Sequence, residues 1–227
     1  MAKNDAREAA RARAAADREA ATRRRSHARL LGIGGAVLAV LVAAGITLAL
    51  VLGGGSGSTA AVRAGGPPWP VPSDTVAKVQ AAGLSMLTTE GQALHIHQHL
   101  SVTVDGKPVR VPALIGIQVE GGKEVALSAI HTHDTTGIIH VESPEVKEFT
   151  LGQVFTEWGV PLAPGRVGPY RNGRDGTKVA LFVNRAAYPA DPTRLLLASR
   201  QDIDLVVTTD GSTPEAPTKP FAFPKGY

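Results

Sequence analysis

The stretch Leu94-His95-Ile96-His97-Gln98-His99-Leu100-Ser101-Val102-Thr103-Val104 runs at a period of two. Leu94, Ile96, Leu100, Val102 and Val104 share one parity, and His95, His97, His99, Ser101 and Thr103 share the other. That is the pattern of a strand with one face in a core and one face polar. Asp105-Gly106 follows as a hairpin turn signal, and residues 109–111 read as the returning strand.

Outward from this strand, residues 114–119, 125–133, 138–142, 179–183 and 203–207 are apolar and rich enough in β-branched side chains to be strands, with Gly121-Gly122 closing the first. Two short helices break the pattern. Ser73 or Asp74 caps one that runs through Ala82 and stops at Gly83. Thr150-Leu151-Gly152-Gln153 has the form of a capping box, and Leu151, Val154, Phe155 and Trp158 follow at helical spacing until Gly159 and Pro161. This aromatic stripe reads as core. Residues 165–176, with Arg166, Arg171 and Arg174, read as a solvated loop. The expected fold is α+β and strand-rich: a small mixed or antiparallel sheet with one or two short packed helices, preceded by a single transmembrane helix.

Six of the seven histidines lie within 46 residues, in two groups. Neutral imidazole is the commonest protein metal ligand. On the first strand His95 and His99 stand about 13 Å apart, so neighbours such as His97 and His99 can share an ion but all three cannot. The second group is His131-Thr132-His133-Asp134, then His140 and Glu142. If residues 134–137 form a hairpin loop, His131 pairs with His140 and His133 with Ile138. His131, His133, His140 and Glu142 then share a face, and a one-residue slip would undo this. Asp134 is placed to ligate, to orient a ring or to cap the turn. The candidate metal ligands are His95, His97, His99, His131, His133, Asp134, His140 and Glu142. Nitrogen and oxygen donors suit Zn, Cu(II), Ni or non-haem Fe. Cu(I) fits less well, because cysteine is absent and Met86 is the one methionine besides Met1.

Enzyme signatures are absent from the region after residue 52. His131-Thr132-His133-Asp134 departs from the HxHxDH motif of metallo-β-lactamase-like hydrolases: Asp134 comes one position early, and no histidine follows His140. The cupin spacing fails, and no GxSxG, P-loop or dinucleotide fingerprint occurs there. A 2-His-1-carboxylate iron site from His131, His133 and Glu142 remains compatible with the spacing.

The formal charge of +4 is unevenly placed. Residues 1–29 hold nine Lys/Arg against four Asp/Glu, whereas residues beyond 52 hold 15 against 16. The basic character belongs to the N-terminal tail and does not indicate nucleic acid as a partner. Residues 30–52 are apolar apart from Thr47 and long enough to span a membrane, with Arg23, Arg24, Arg25 and Arg29 just before them. The positive-inside rule puts residues 1–29 in the cytoplasm and the remainder outside a bacterial cell membrane. A cleaved signal peptide is the alternative, with residues 58–60 as a small-residue cleavage site. The tail is a topology signal, with anionic lipid headgroups as a further partner. Residues 53–73 read as a Gly/Ser/Pro linker, 74–210 as an extracytoplasmic His-rich domain, and 211–227 as a Pro-rich, extended tail.

The segments HIHQHLSVTVDGKPVRVPALIGI, HTHDTTGIIHVES and FTLGQVFTEWGV, over about residues 94–160, resemble a group of uncharacterised bacterial exported or membrane-anchored His-rich proteins. VALFVNR and the closing DIDLVV are similar to the rest of that group. The resemblance implies an envelope location and no particular activity. The arrangement is also similar, by analogy, to β-grasp-like modules, where a helix packs on a small mixed sheet. The function expected first is sequestration, sensing or delivery of a divalent metal outside the membrane. The alternatives are a His-ligated hydrolase or oxygenase, and a metal-free envelope module whose histidines respond to pH.

Overall fold

The computed structural model describes residues 65–227. The expected basic tail, transmembrane helix and the first part of the linker lie outside the described residues; among those described, no helix is long and apolar enough to cross a membrane.

The fold is strand-rich α+β, with antiparallel and mixed sheets. Helix α1 (Thr75–Ala81) leads into β1 (Met86–Leu87), β2 (Leu94–Val104), β3 (Lys107–Val109), β4 (Ile117–Glu120), β5 (Lys123–Ser128), β6 (Ile130–His131) and β7 (Ile138–Ser143). Helix α2 (Leu151–Trp158) follows, then β8 (Leu162–Ala163), β9 (Arg166–Val167), β10 (Tyr170–Arg171), β11 (Lys178–Val183), β12 (Ala186–Ala187) and β13 (Asp202–Thr208). The main sheet runs β12-β11-β13-β2-β7-β6, with β3 also on β2. Only the β13–β2 pairing in it is parallel. Two three-stranded sheets, β1-β5-β4 and β10-β9-β8, complete the strand inventory of the described residues.

The parity of β2 carries into space. Leu100 and Val102 are buried in the core with Ile139 and Val141 of β7 and Ile203, Leu205 and Val207 of β13. Helix α2 brings Leu151, Val154, Phe155 and Trp158 into the same core. Its N-terminus is closed by the expected capping box: Thr150 Oγ1 accepts from the Gln153 N–H at 3.4 Å, and Gln153 Oε1 accepts from the Thr150 N–H at 2.9 Å. Gly159 ends the helix at φ 71°, a left-handed value that glycine adopts without cost. Thr150→Ala removes one half of the box. It should cost ~1 kcal/mol, read as a lower urea midpoint with an unchanged slope.

Several boundaries differ from the sequence reading. The strand expected at 114–119 is shifted to Ile117–Glu120, because Leu114 (φ 67°) and Gly116 (φ 72°) both turn the chain. A Cβ on Gly116 would lie 2.6 Å from Glu157 Oε2 and against the Ile130 carbonyl, so only glycine fits this approach. The single strand expected at 125–133 is divided at Ala129: β5 belongs to one sheet and β6 to another. The loop at 165–176 contains the short strands β9 and β10, whose two-residue length leaves no periodicity to read. The end of the linker is structural. Trp69 is buried edge-on against Trp158 (centroids 5.7 Å), and its carbonyl accepts the Trp158 indole N–H at 2.8 Å.

Candidate metal centre

The second face of the main sheet collects the histidines. Antiparallel pairing of β2 with β7 sets His97 opposite His140 and His95 opposite Glu142, and pairing of β6 with β7 sets His131 opposite His140. Directly opposed residues have Cβ atoms ~4.5–5.5 Å apart. Strands β2, β7 and β6 are neighbours, so two groups that are separate in the chain form one cluster. The hairpin register expected for His131 and His140 is the one observed. His133 has left the ladder, yet its Nε2 lies 3.2 Å from His131 Nε2.

Two sets of donors have all their ligand atoms within 4.8 Å of one another: His131, His133, His140 and Glu142, and His95, His97 and Glu142. His95 Nε2 and His97 Nε2 are 3.2 Å apart, and Glu142 Oε1 is 3.2 Å from His95 Nε2 and 3.1 Å from His140 Nδ1. Four donors around a tetrahedral ion with bonds of ~2.0–2.1 Å stand roughly 3.4 Å from one another, so these spacings need little adjustment. Several rings pack edge to face, as His97 does on His140 (centroids 4.6 Å, 89°), which holds each in place.

The tautomer of His131 is settled by its partner. Nδ1 lies 3.0 Å from the Ser128 carbonyl, which can only accept, so Nδ1 carries the proton and Nε2 offers a lone pair toward His133. This is the orientation that an outer hydrogen bond commonly gives a metal-ligating imidazole.

Burial keeps the enclosed imidazoles neutral and works against ionisation of the enclosed carboxyl. Burial holds the His131 imidazole down at about 4, with the neighbouring His133 adding repulsion of a proton and the Ser128 carbonyl opposing. Burial, then His131 and His97, hold His140 down at about 3. Burial, His95 and His133 lower His97 as well. The Glu142 carboxyl is pushed up to about 7, first by burial and then by the Glu90 carboxylate facing it. Glu142 is 3 % exposed, and among the described residues no donor lies within hydrogen-bond distance of its Oε2, although the Glu90 carboxyl faces the group. A buried acceptor without a donor is costly, and a cation would remove that cost.

His99 and Asp134 stand outside both donor sets. His99 Nδ1–H donates to Asp202 Oδ1 at 2.8 Å, and its ring stacks on Phe221 at 3.7 Å and 4°. Asp134 caps its own turn, accepting from the Thr136 N–H at 2.8 Å and the Thr136 hydroxyl at 2.5 Å, and these bonds lower its carboxyl.

Two contributors escaped the sequence reading. Glu90 Oε1 reaches within 3.7 Å of His133 Nε2. It arrives there because Gly91 presses against the Ser143–Pro144 backbone, where any Cβ would collide. The C-terminal segment is the other. Tyr227 lies edge-on over His97 (4.7 Å) and His140 (5.8 Å), the Phe221 N–H donates to Asp202 Oδ2 at 2.8 Å, and Arg200 holds the Tyr227 carbonyl and covers the Phe223 ring. No composition signal distinguishes such a packed tail from a free one.

Comparison with known proteins finds no matching family model, curated protein or solved structure. The His/Glu clusters could hold a metal ion on their geometry alone.

Proposed function

We propose that this chain is a membrane-anchored, extracytoplasmic protein that binds a divalent transition metal and serves to sequester, sense or deliver it. The observation that carries the reading is the His131/His133/His140/Glu142 set: three imidazoles, two of them buried, and a buried carboxylate converge, with no hydrogen-bond partner for Glu142 Oε2 among the described residues. Imidazole and carboxylate donors favour Zn, Ni, Cu(II) or Fe over softer ions. Four protein donors fill a tetrahedral shell, the pattern of a holding site; a catalytic zinc usually keeps one position open. At this set, that favours storage or transfer over a hydrolase or oxygenase. The anchor at 30–52 and the basic tail at 1–29 are the basis for placing the site outside the cell.

The test is elemental analysis of the full chain, made without a His tag, solubilised in detergent and dialysed against a weak chelator. Retained Zn, Ni, Cu or Fe near stoichiometric amounts supports the reading. A metal-free chain that also shows no micromolar binding of any of the four refutes it.

A further inference from the structure

The donor set is larger than one ion needs. Five imidazoles (His95, His97, His131, His133 and His140) and Glu142 face one another, and tetrahedral zinc takes four ligands. The donors divide into two sets that satisfy a common 4.8 Å limit, and Glu142 is the one member of both. Its Oε1 touches one imidazole from each set, His140 at 3.1 Å and His95 at 3.2 Å, while Oε2 is buried with no hydrogen-bond partner among the described residues. Carboxylates commonly link paired ions in this way, because each oxygen carries two lone pairs. Glu90, 3.7 Å from His133, adds a second carboxylate beside the centre.

We propose that the cluster is a two-ion centre in which Glu142 bridges a first ion held by His131, His133 and His140 and a second ion held by His95 and His97. The inference rests on the metal-binding reading above. The two positions are unequal. His131 is fully buried and His140 is 8 % exposed, with the His133 side chain at 36 %, whereas the His95 side chain is 44 % exposed and His97 is half-buried. The first ion has four protein donors, three of them buried. The second has three and keeps a position open to water or to a competing ligand. An exchangeable ion beside a retained one is the arrangement that transfer requires: the outer position loads and unloads, and the inner ion keeps the His face organised.

The test is a Zn titration of the full chain in detergent with a chromophoric chelator in competition, followed by elemental analysis of the desalted protein. The wild-type chain and His95→Ala/His97→Ala are compared, with circular dichroism to confirm that both are folded. The expected result is two ions for the wild type, one released first, and one ion for the variant. Affinity at the retained position should change less than about tenfold, and binding at the other should fall by roughly 100-fold or more. Co(II) in both positions should show magnetic coupling that the variant lacks, since bridged ions stand ~3.5–4 Å apart. One ion in both proteins overturns the two-ion centre and leaves the metal-binding reading intact. Two ions in both overturns the assignment to His95 and His97, and no ion in either overturns both.

Discussion

Glu157→Gln should make the protein more stable than the natural chain by roughly 3–5 kcal/mol at pH 9 and leave it nearly unchanged at pH 4. Glu157 lies in the last turn of α2, 2 % exposed, with the Ser128 hydroxyl donating to Oε1 at 2.6 Å and nothing on Oε2. Burial pushes its carboxyl up to about 8, against the hydrogen bond from Ser128. Below pH ~4.5 the group is protonated in both folded and unfolded chains. Between there and about 8 the unfolded chain releases the proton and the folded one keeps it. The folded state then binds more protons, so stability falls as pH rises through this window and is fully reduced above it. The amide of the variant does not titrate and keeps an oxygen for Ser128.

His131 and His140 act in the opposite sense. Their folded values, about 4 and about 3, lie below the ordinary imidazole value, so their contribution is present above pH ~6.5 and is lost as pH falls toward those values. Glu142, pushed up to about 7, loses stability in the same sense as Glu157 but in both proteins, so the difference between them isolates Glu157. Urea midpoints for both proteins at pH 5, 6.5, 8 and 9 read the effect. Curves that stay parallel across this range would show that Glu157 does not carry it.

The second large effect is expected from the metal. Zn in excess should raise the melting temperature by about 10 °C. A ligand at ~1,000 times its dissociation constant adds ~4 kcal/mol, and each kcal/mol moves a domain of this size by a few degrees. His131→Ala should abolish most of that rise. A structural zinc site contributes ~10–16 kcal/mol over four ligands, so one ligand corresponds to roughly 100- to 1,000-fold in affinity. His99→Ala is the informative comparison, because His99 belongs to the same alternating run as His95 and His97 but bonds Asp202 and stacks on Phe221. It should lower the stability of the metal-free protein and leave the Zn-dependent rise in place. Equal losses in the two variants would mean that the ion is held by histidine content and not by this geometry.

Much of the fold was legible because it depends on neighbours along the chain. The capping box at Thr150 and Gln153, the turn at Asp105-Gly106 and the hairpin that sets His131 opposite His140 each rest on side chains a few residues apart. Where two positive-φ residues interrupt an apolar run, as at Leu114 and Gly116, local pattern misplaced the strand; at Gly116 the backbone lies close against Ile130 and Glu157, a contact that sequence spacing does not show. Gln98 shows the same limit. It lies on the apolar parity of β2 and is buried, held by an N–H bond to the Ile139 carbonyl at 2.9 Å that forms only once β7 lies alongside.

The sequence by itself determined which side chains face together on each strand, because parity along an extended backbone is a local property. Which strands lie side by side was decided by the tertiary structure. The pairing of β2 with β7 joins residues far apart in the chain, and it places His95 and His97 beside Glu142 and His140. The same long-range packing turns His99 toward Asp202 on β13, brings Glu90 to His133 and lays Tyr227 over the cluster. A metal centre needs donors within a few ångströms in three dimensions, and burial of the shared apolar face is what brings these strands to that distance.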